Sequence, residues 1–507
     1  CHGVNPGQYL LSCGFWPHEF ECYPSNCLIC SLNLLIYPPF HRLGKVIMAD
    51  SSSQSLMSDR EKKASLGLAG IFSMRMLGLF MILPVMSLYA ENLDGVTPLL
   101  LGLAISVYGL TQALLQIPFG LLSDRFGRKK IITIGLLLFV LGSVVAALST
   151  TIVGIIIGRA LQGSGAVAAA VMALAADLTS EQNRTKIMAS IGISIGISFG
   201  VAMVIGPLLA SVVGLQGIFW FTAGLALMGI VILFKVVPQP TTVSVHKDAE
   251  PVPALMGKVL KDSQLLRLDF GIFCLHLVMT AMFVVLPLFM RGKLAIAAED
   301  HWLVYLPVLG LSVIAMIPFI ILAEKKRQMK TVFVGAVATL SMACFGLYLF
   351  ADTLWGLVAA LFVFFTAFNL LEASLPSLIS KIAFAGGKGT AMGVYSSAQF
   401  FGAFCGGLCG GLIWDAFGLS EVFLFCALVL VLWLLVAFSM KAPRHMTSLL
   451  KHIELETTAQ AKEITDKLLA VRGVLDVGVS LDDSTAYLKV DTELLDQQAL
   501  DAIIPSS

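Results

Sequence analysis

Residues 120–130 read GLLSDRFGRKK and stand between two long apolar runs. Asp124, Arg125, Arg128, Lys129 and Lys130 crowd into this one short break. On a soluble protein such a cluster is an ordinary surface loop, so its flanks decide its meaning. The chain has 507 residues, 57% hydrophobic and 13% charged, whereas soluble domains carry about 25% charged residues. Mean hydropathy is +0.89. Such a chain is a polytopic membrane protein, and GLLSDRFGRKK is a loop between two of its spans. The net charge of +1 is spread locally rather than massed, which argues against a nucleic-acid partner.

Outward from this loop, apolar runs long enough to cross a bilayer as helix alternate with short polar breaks. They predict twelve spans, at 66–90, 98–122, 131–149, 152–178, 186–213, 217–237, 267–291, 301–323, 331–350, 353–381, 388–415 and 420–440. Open strands find no hydrogen-bond partners in lipid, so the spans are helices. The long break 238–266 divides them into six plus six. Basic residues collect in alternate breaks, as at Arg125–Lys130, Arg184, Lys186, Lys258, Lys261, Lys325–Lys330, Lys381 and Lys388. The opposite breaks are nearly free of them, with Arg291 and Lys293 the exceptions. By the positive-inside rule both termini and the middle loop are cytoplasmic.

The halves repeat. LFMILPVM at 79–86 returns as MFVVLPLF at 282–289, and IPFGLLSDRFGRKK at 117–130 as IPFIILAEKKRQMK at 317–330. Gly206 and Gly214 correspond to Gly410 and Gly418. An offset of about 200 residues held through charged loops indicates parallel duplication, a construction that transporters use for alternating access.

Half of the ten cysteines precede residue 31. No histidine follows at ligand spacing, so no metal site is expected. Residues 1–56 read as a disordered or non-native extension, with a natural start near Met48 or Met57. The expected divisions are then 57–237 and 267–446 for the two six-helix bundles, 238–266 for the cytoplasmic linker and 447–507 for a terminal domain.

The loop GLLSDRFGRKK resembles the signature of the major facilitator superfamily between its second and third helices, through Gly120, Asp124, Arg125, Gly127, Arg128 and Lys129. GRALQGSG at 158–165 resembles the fourth-helix motif of proton-linked members. GVAMVIGP at 200–207 resembles the fifth-helix antiporter motif through Gly200, Gly206 and Pro207, with Ala202 and Ala210 where glycines are expected. Gly78 and Pro84 match part of a first-helix drug-antiporter motif, with Ser87 in place of its last proline. From about Met57 onward the chain is similar to the YajR-type transporters, a facilitator body joined to a small cytoplasmic domain. That resemblance implies an inner-membrane protein that exports a small-molecule substrate against a flow of protons.

The residues carry a physical reading of their own. Gly120 permits close helix approach, and the planar Arg128 guanidinium suits a carboxylate, Asp177 being the nearest candidate. Gly120, Asp124, Arg125, Gly127, Arg128 and Asp177 would form a latch closing the cytoplasmic side; the alternative is a basic loop that only sets topology. Charges inside spans cost about 2.5–3.5 kcal/mol each on insertion scales, which singles out Arg75, Arg159, His276 and Glu372. Counted along their helices, Arg75, His276 and Glu372 fall at one depth. Together they are the expected proton-coupling group, with a packed histidine and a carbonyl-capping Arg159 as the alternatives. Gln112, Gln116, Gln162, Asn369 and Gln399 are placed either in a substrate cavity or in helix-to-helix hydrogen bonds.

After residue 447 the composition turns soluble. Alternation predicts strands at 449–456, 474–481 and 485–491, with helices over 458–471 and 495–504. The order βαββα is ferredoxin-like with its last strand short or missing. Its first turn lacks the paired cysteines of metal-carrier domains, which leaves regulation or dimerisation as its role. The expected fold class is thus an all-α membrane body of two six-helix pseudo-repeats plus a small α+β cytoplasmic domain. No clustered nucleophile or metal set lies in the spans, so neither enzyme chemistry nor a cofactor is expected. The function classes left open are proton-coupled export, uptake or facilitated transport, and sensing.

Overall fold

The computed structural model describes residues 57–90, 93–239, 253–325, 328–441, 446–453, 458–480, 485–491 and 494–504. The extension at 1–56 and residues 240–252 of the linker lie outside the described residues. Helices α1 (Asp59–Phe80), α2 (Met86–Tyr89), α3 (Pro98–Phe126), α4 (Arg128–Leu148), α5 (Ile152–Ser164), α6 (Ala168–Asp177) and α7 (Glu181–Lys235) build the first half. After the short α8 (Pro253–Val259), the second half comprises α9 (Ser263–Gly292), α10 (Trp302–Lys325), α11 (Met329–Phe350), α12 (Leu354–Ile382), α13 (Lys388–Phe417) and α14 (Leu419–Phe438). Among the described residues ten segments are long and apolar enough to cross a membrane. One of them, Lys186–Lys235, has 50 residues and at about 1.5 Å per residue crosses twice. The charged start of α1 keeps the first span outside that count, and with it the twelve expected spans are present. Large apolar side chains such as Val212, Met342, Trp355 and Leu435 point outward, as a lipid-facing surface requires.

Start signals recur at one end of the bundle. Thr97, Thr151 and Thr353 each cap a helix, accepting a hydrogen bond from the backbone N–H of Leu100, Gly154 and Gly356 respectively, which satisfies a donor that the first turn leaves orphaned. The internal repeat is geometric as well. The φ angle is +67° at Gly214 and +120° at Gly418, a region costly to residues with a Cβ, and both glycines turn the chain between consecutive spans. Their partners Gly206 and Gly410 lie against backbone, a Cβ on each meeting Met81 O at 3.1 Å and Ala281 Cα at 3.0 Å. The same close approach thus joins α7 to the first span and α13 to α9.

Two spans are interrupted where the sequence reading ran them straight. The first breaks over residues 81–85 and the fourth over 165–167. At the second break, the Gly165 carbonyl accepts from Val167 N–H at 2.8 Å instead of from the next helical turn.

The two halves meet at the end of the bundle remote from Arg128. Gly102 and Gly109 of α3 lie against the Gly407 and Phe400 carbonyls of α13, and Gly411 against the Pro98 carbonyl. At this same end Arg291 donates to the Leu88 carbonyl at 3.4 Å. Deeper in the seam, Phe199 of the first half packs against Phe283 and Phe365 of the second, with ring centroids 6.3 and 6.4 Å apart.

The soluble portion follows the expected order: β1 (Met446–His452), α15 (Thr458–Leu469), β2 (Val474–Ser480), β3 (Thr485–Asp491) and α16 (Gln497–Ile503). The sheet is antiparallel in the order β1-β3-β2, with Leu468, Leu488, Val490 and Leu500 in its core. It rests on the segment after α12. Lys489 donates to the Ser380 and Lys381 carbonyls at 2.9 and 3.0 Å, and Asp476 accepts from Ala385 N–H at 2.8 Å.

Candidate functional site

Three polar constellations occupy the membrane body. The first is the opening loop. Gly127, with φ +98°, turns the chain from α3 into α4 and places Arg128 at the first position of α4. The Arg128 side chain is fully buried; its Nε donates to Asp177 Oδ2 at 3.0 Å, and it pairs with Asp124. Arg128 Nη1 also donates to Ser123 Oγ at 2.9 Å, and Ser123 donates to the Gly120 carbonyl at 2.7 Å. Gly120 lies against Ala169, whose Cβ is 3.2 Å from where its own would stand. Arg125 is exposed and stacks over Phe126. Asp124, Ser123 and Asp177 belong to the first half, so these contacts tie the loop to the end of α6. Lys129 donates to the Leu233 and Val237 carbonyls at 3.0 and 2.6 Å, closing the end of α7.

Beside this loop lies an anchor that the sequence reading missed. Glu61 completes a capping box with Ser58 at the start of α1 and accepts from Ser180 N–H and Oγ at 2.9 and 2.7 Å, so it joins the first span to the fifth. The signal was the Ser58–Glu61 spacing before an apolar run. The Ser180 backbone N–H, helped by the Ser180 hydroxyl, Ser58 and Asn183, holds the Glu61 carboxyl at about 2, against an ordinary 4.5. This stabilisation is fully present above about 4.5 and is lost as pH falls towards 2. Glu61→Gln is therefore expected to lower stability by about 2 kcal/mol at neutral pH. Thermal unfolding of variant and parent in detergent should converge as the pH is lowered through that window.

The second constellation is cationic. Arg75 is buried; its Nη2 donates to Gln112 Oε1 at 2.6 Å and to the Gly165 carbonyl at 3.1 Å, so it answers the break in the fourth span. Gln112 donates in turn to Gln116 at 3.0 Å. Arg159 donates to the Ala104 and Ile105 carbonyls at 3.3 and 3.1 Å and to Gln162 at 2.8 Å, and Gln162 donates to Ser143. Both guanidinium groups lie over the Tyr108 ring, at 5.7 and 5.2 Å. This geometry fits helix-to-helix hydrogen bonding of Gln112 and Gln162 and a carbonyl-capping Arg159, while Gln116 is bonded within α3.

The third constellation lies in the second half. Gln399 Nε2 stands 2.8 Å from His276 Nε2 and donates to Glu372 Oε1 at 3.4 Å. The imidazole and the carboxylate are 3.9 Å apart. His276 belongs to α9, Glu372 to α12 and Gln399 to α13, so three helices converge on one group. The Glu372 side chain keeps 38% of its surface accessible. Asn369, one turn before it, donates to Ser312 at 3.0 Å. Arg75 does not join this group, because its near side is taken by Gln112 and Gly165. Of the fifth-helix motif, Gly206 lies against the first-span break while Gly200 faces open space, and Pro207 sits within α7.

Two six-helix halves, a shared-offset repeat and polar groups held inside the bundle are the architecture of a membrane transporter. Residues 68–399 match the Major Facilitator Superfamily, and the chain belongs to that family. It is 48% identical over 452 residues, 88% of this chain and 98% of the relative, to the inner membrane transport protein YajR of Escherichia coli K12. It is 25% identical over 361 residues to the quinolone resistance protein NorA of Staphylococcus aureus (strain MSSA476), covering 68% of this chain and 90% of NorA. Among solved structures, a bacterial homolog of the human lysosomal transporter Spinster, in an inward-facing and occupied conformation, superposes with a TM-score of 0.64 at 12% identity. That match covers 76% of this chain and 97% of the other. The chain is accordingly a multi-pass transporter of the inner membrane.

Proposed function

We propose that the protein is a proton-coupled exporter of small lipophilic molecules working by alternating access, with the His276–Gln399–Glu372 group as its coupling site. The observation that carries this reading is the convergence of an imidazole and a carboxylate, 3.9 Å apart, on one bridging amide. Carboxyl and imidazole groups are the side chains suited to taking up and releasing protons near neutrality, and charges kept within a membrane mark ion pathways. With both termini and the basic loops taken as cytoplasmic, the seam at Gly102, Gly109 and Arg291 lies on the periplasmic side. The similarity to a named quinolone resistance protein favours export over uptake. Purified protein in liposomes is expected to move a lipophilic substrate against its gradient when a pH difference is imposed, and in the opposite sense to the protons. Co-directional movement would assign an uptake symporter, and flux indifferent to pH a facilitator.

The small C-terminal domain, 447–507, is proposed to regulate this cycle through its seat on residues 380–385. Lys489→Ala is expected to leave transport in place while changing its dependence on conditions, measured in the same liposomes. Complete loss of transport with normal membrane insertion would instead make the domain part of the translocation machinery.

A further inference from the structure

Asp269 lies seven residues before His276 on α9, near the helix start at Ser263. It is 94% buried, being 6% exposed, and neither of its carboxylate oxygens has a hydrogen-bond partner. An ionised carboxylate so placed is costly, because burial strips its water and nothing replaces it. Seven residues are close to two helical turns, so Asp269 and His276 share a face. That face meets α13, whose Gly402 lies against the Phe273 carbonyl midway between the two. On α13, one turn before Gln399, stands Tyr395, 3% exposed, its hydroxyl also without a partner. Tyr395 is within electrostatic reach of both Asp269 and Glu372.

Among the described residues, the contacts that α14 makes with α9 near this level carry no charge. From α14, Trp433 packs on Gly271 and Cys426 donates to the Val278 carbonyl. Arg267, on α9 itself, is turned outward to Ser439. Tyr395 is thus a titratable group within reach of Asp269, and it reaches Glu372 as well.

We propose that Asp269 is a second proton-binding site, and that Tyr395 passes the proton between it and the His276–Glu372 pair. Asp269 stands about 9 Å along the helix from the α9 start and His276 about 10 Å further on, so the acid lies on the way in from the end that carries the basic loops. In the transfer, protonated Asp269 gives its proton to the Tyr395 oxygen through intervening water, while the Tyr395 hydroxyl proton passes in the same way to the Glu372 carboxylate. One proton moves, tyrosine ends unchanged, and Asp269 becomes the anion ready for reloading. This rests on the coupling role given above to Glu372 and extends it by one site.

The test is pH-difference infrared spectroscopy on the purified full-length protein in detergent, reading the C=O band of protonated carboxyl groups between about pH 5 and about pH 9. Wild type should lose protonated carboxyl signal in two overlapping steps, as interacting sites do. Asp269→Asn should remove one step and shift the other, Asp269→Glu should restore two, and Tyr395→Phe should keep both but slow their response to a pH jump. The asparagine variant removes an uncompensated charge, so it should fold at least as well as wild type. A difference spectrum unchanged in Asp269→Asn overturns the inference and leaves the reading of Glu372 standing. A spectrum unchanged in Glu372→Gln sinks the coupling role of Glu372 instead. If sodium chloride at fixed pH removes the Asp269 band, the site takes a metal cation and the proton assignment is wrong.

Discussion

Glu372→Gln is expected to abolish pH-driven accumulation while leaving substrate exchange across the membrane intact. Glutamine keeps the length and planarity of the side chain and still receives the Gln399 amide, which now reaches 3.4 Å to Oε1. What it loses is the ability to change charge. In the parent, a proton arriving at the carboxylate removes the negative charge that Gln399 and His276 face, and the bridging amide must choose a new partner. Three helices, α9, α12 and α13, are drawn together or released by that choice. With glutamine the group is fixed in its neutral arrangement, so the halves can still exchange around a bound substrate but a pH difference does no work. Uptake of a lipophilic dye by inverted vesicles, with and without a pH gradient, separates the two activities. If the variant still concentrates dye against its gradient under imposed pH, the proton travels elsewhere and Glu372 is structural.

Arg128→Ala is expected to cost about 3–5 kcal/mol of stability, the range for removing one member of a buried ion pair. The Asp177 side chain has no solvent exposure and meets the guanidinium at 3.0 Å, while Asp124 shares the same cation. Deleting the cation leaves two carboxylates facing its place. Ser123, which links Arg128 to the Gly120 carbonyl, loses its anchor as well. The loop between α3 and α4 should then detach from the end of α6, and cysteines placed on it should label faster from the cytoplasmic side. Arg128→Lys should recover only part of the loss, since an ammonium cannot fork between two acids. Unfolding in detergent measures the first effect and labelling the second. An unchanged labelling rate in Arg128→Ala would refute the holding role of this loop.

Much of this arrangement was legible before any coordinates. Span count, the six-plus-six division and the βαββα order follow from apolar length and alternation, which local physics fixes. Arg128 and Asp177 could be paired because both stand at helix ends on the same side. The grouping of Arg75 with His276 and Glu372 is the instructive case. Counting residues along a helix gives depth but no direction around the bundle. Arg75 turns to Gln112 and Gly165 within its own half, and Glu372 turns to Gln399. The breaks at 81–85 and 165–167 did carry signals, Pro84 in the first and Gly163, Ser164 and Gly165 at the second, which a reading by apolar length passes over. Asp269 escaped notice because it stands two positions from Arg267 at a helix start, where polar residues usually mark only the membrane edge.

Lys489 gives the assembly of this molecule an order in time. It closes two carbonyls at the end of α12, yet it is translated 108 residues after Lys381. At roughly 5–20 residues per second the helix that carries Glu372 waits roughly 5–20 seconds for its cap, while α13, α14 and β1 are still being made. The membrane body therefore completes its insertion with that end unfinished, and the folding of the soluble sheet is the step that finishes it. A ribosome that stalls after α14 but before Lys489 leaves a transporter with all its spans and one open helix end, a defect on the face that the soluble domain would have covered.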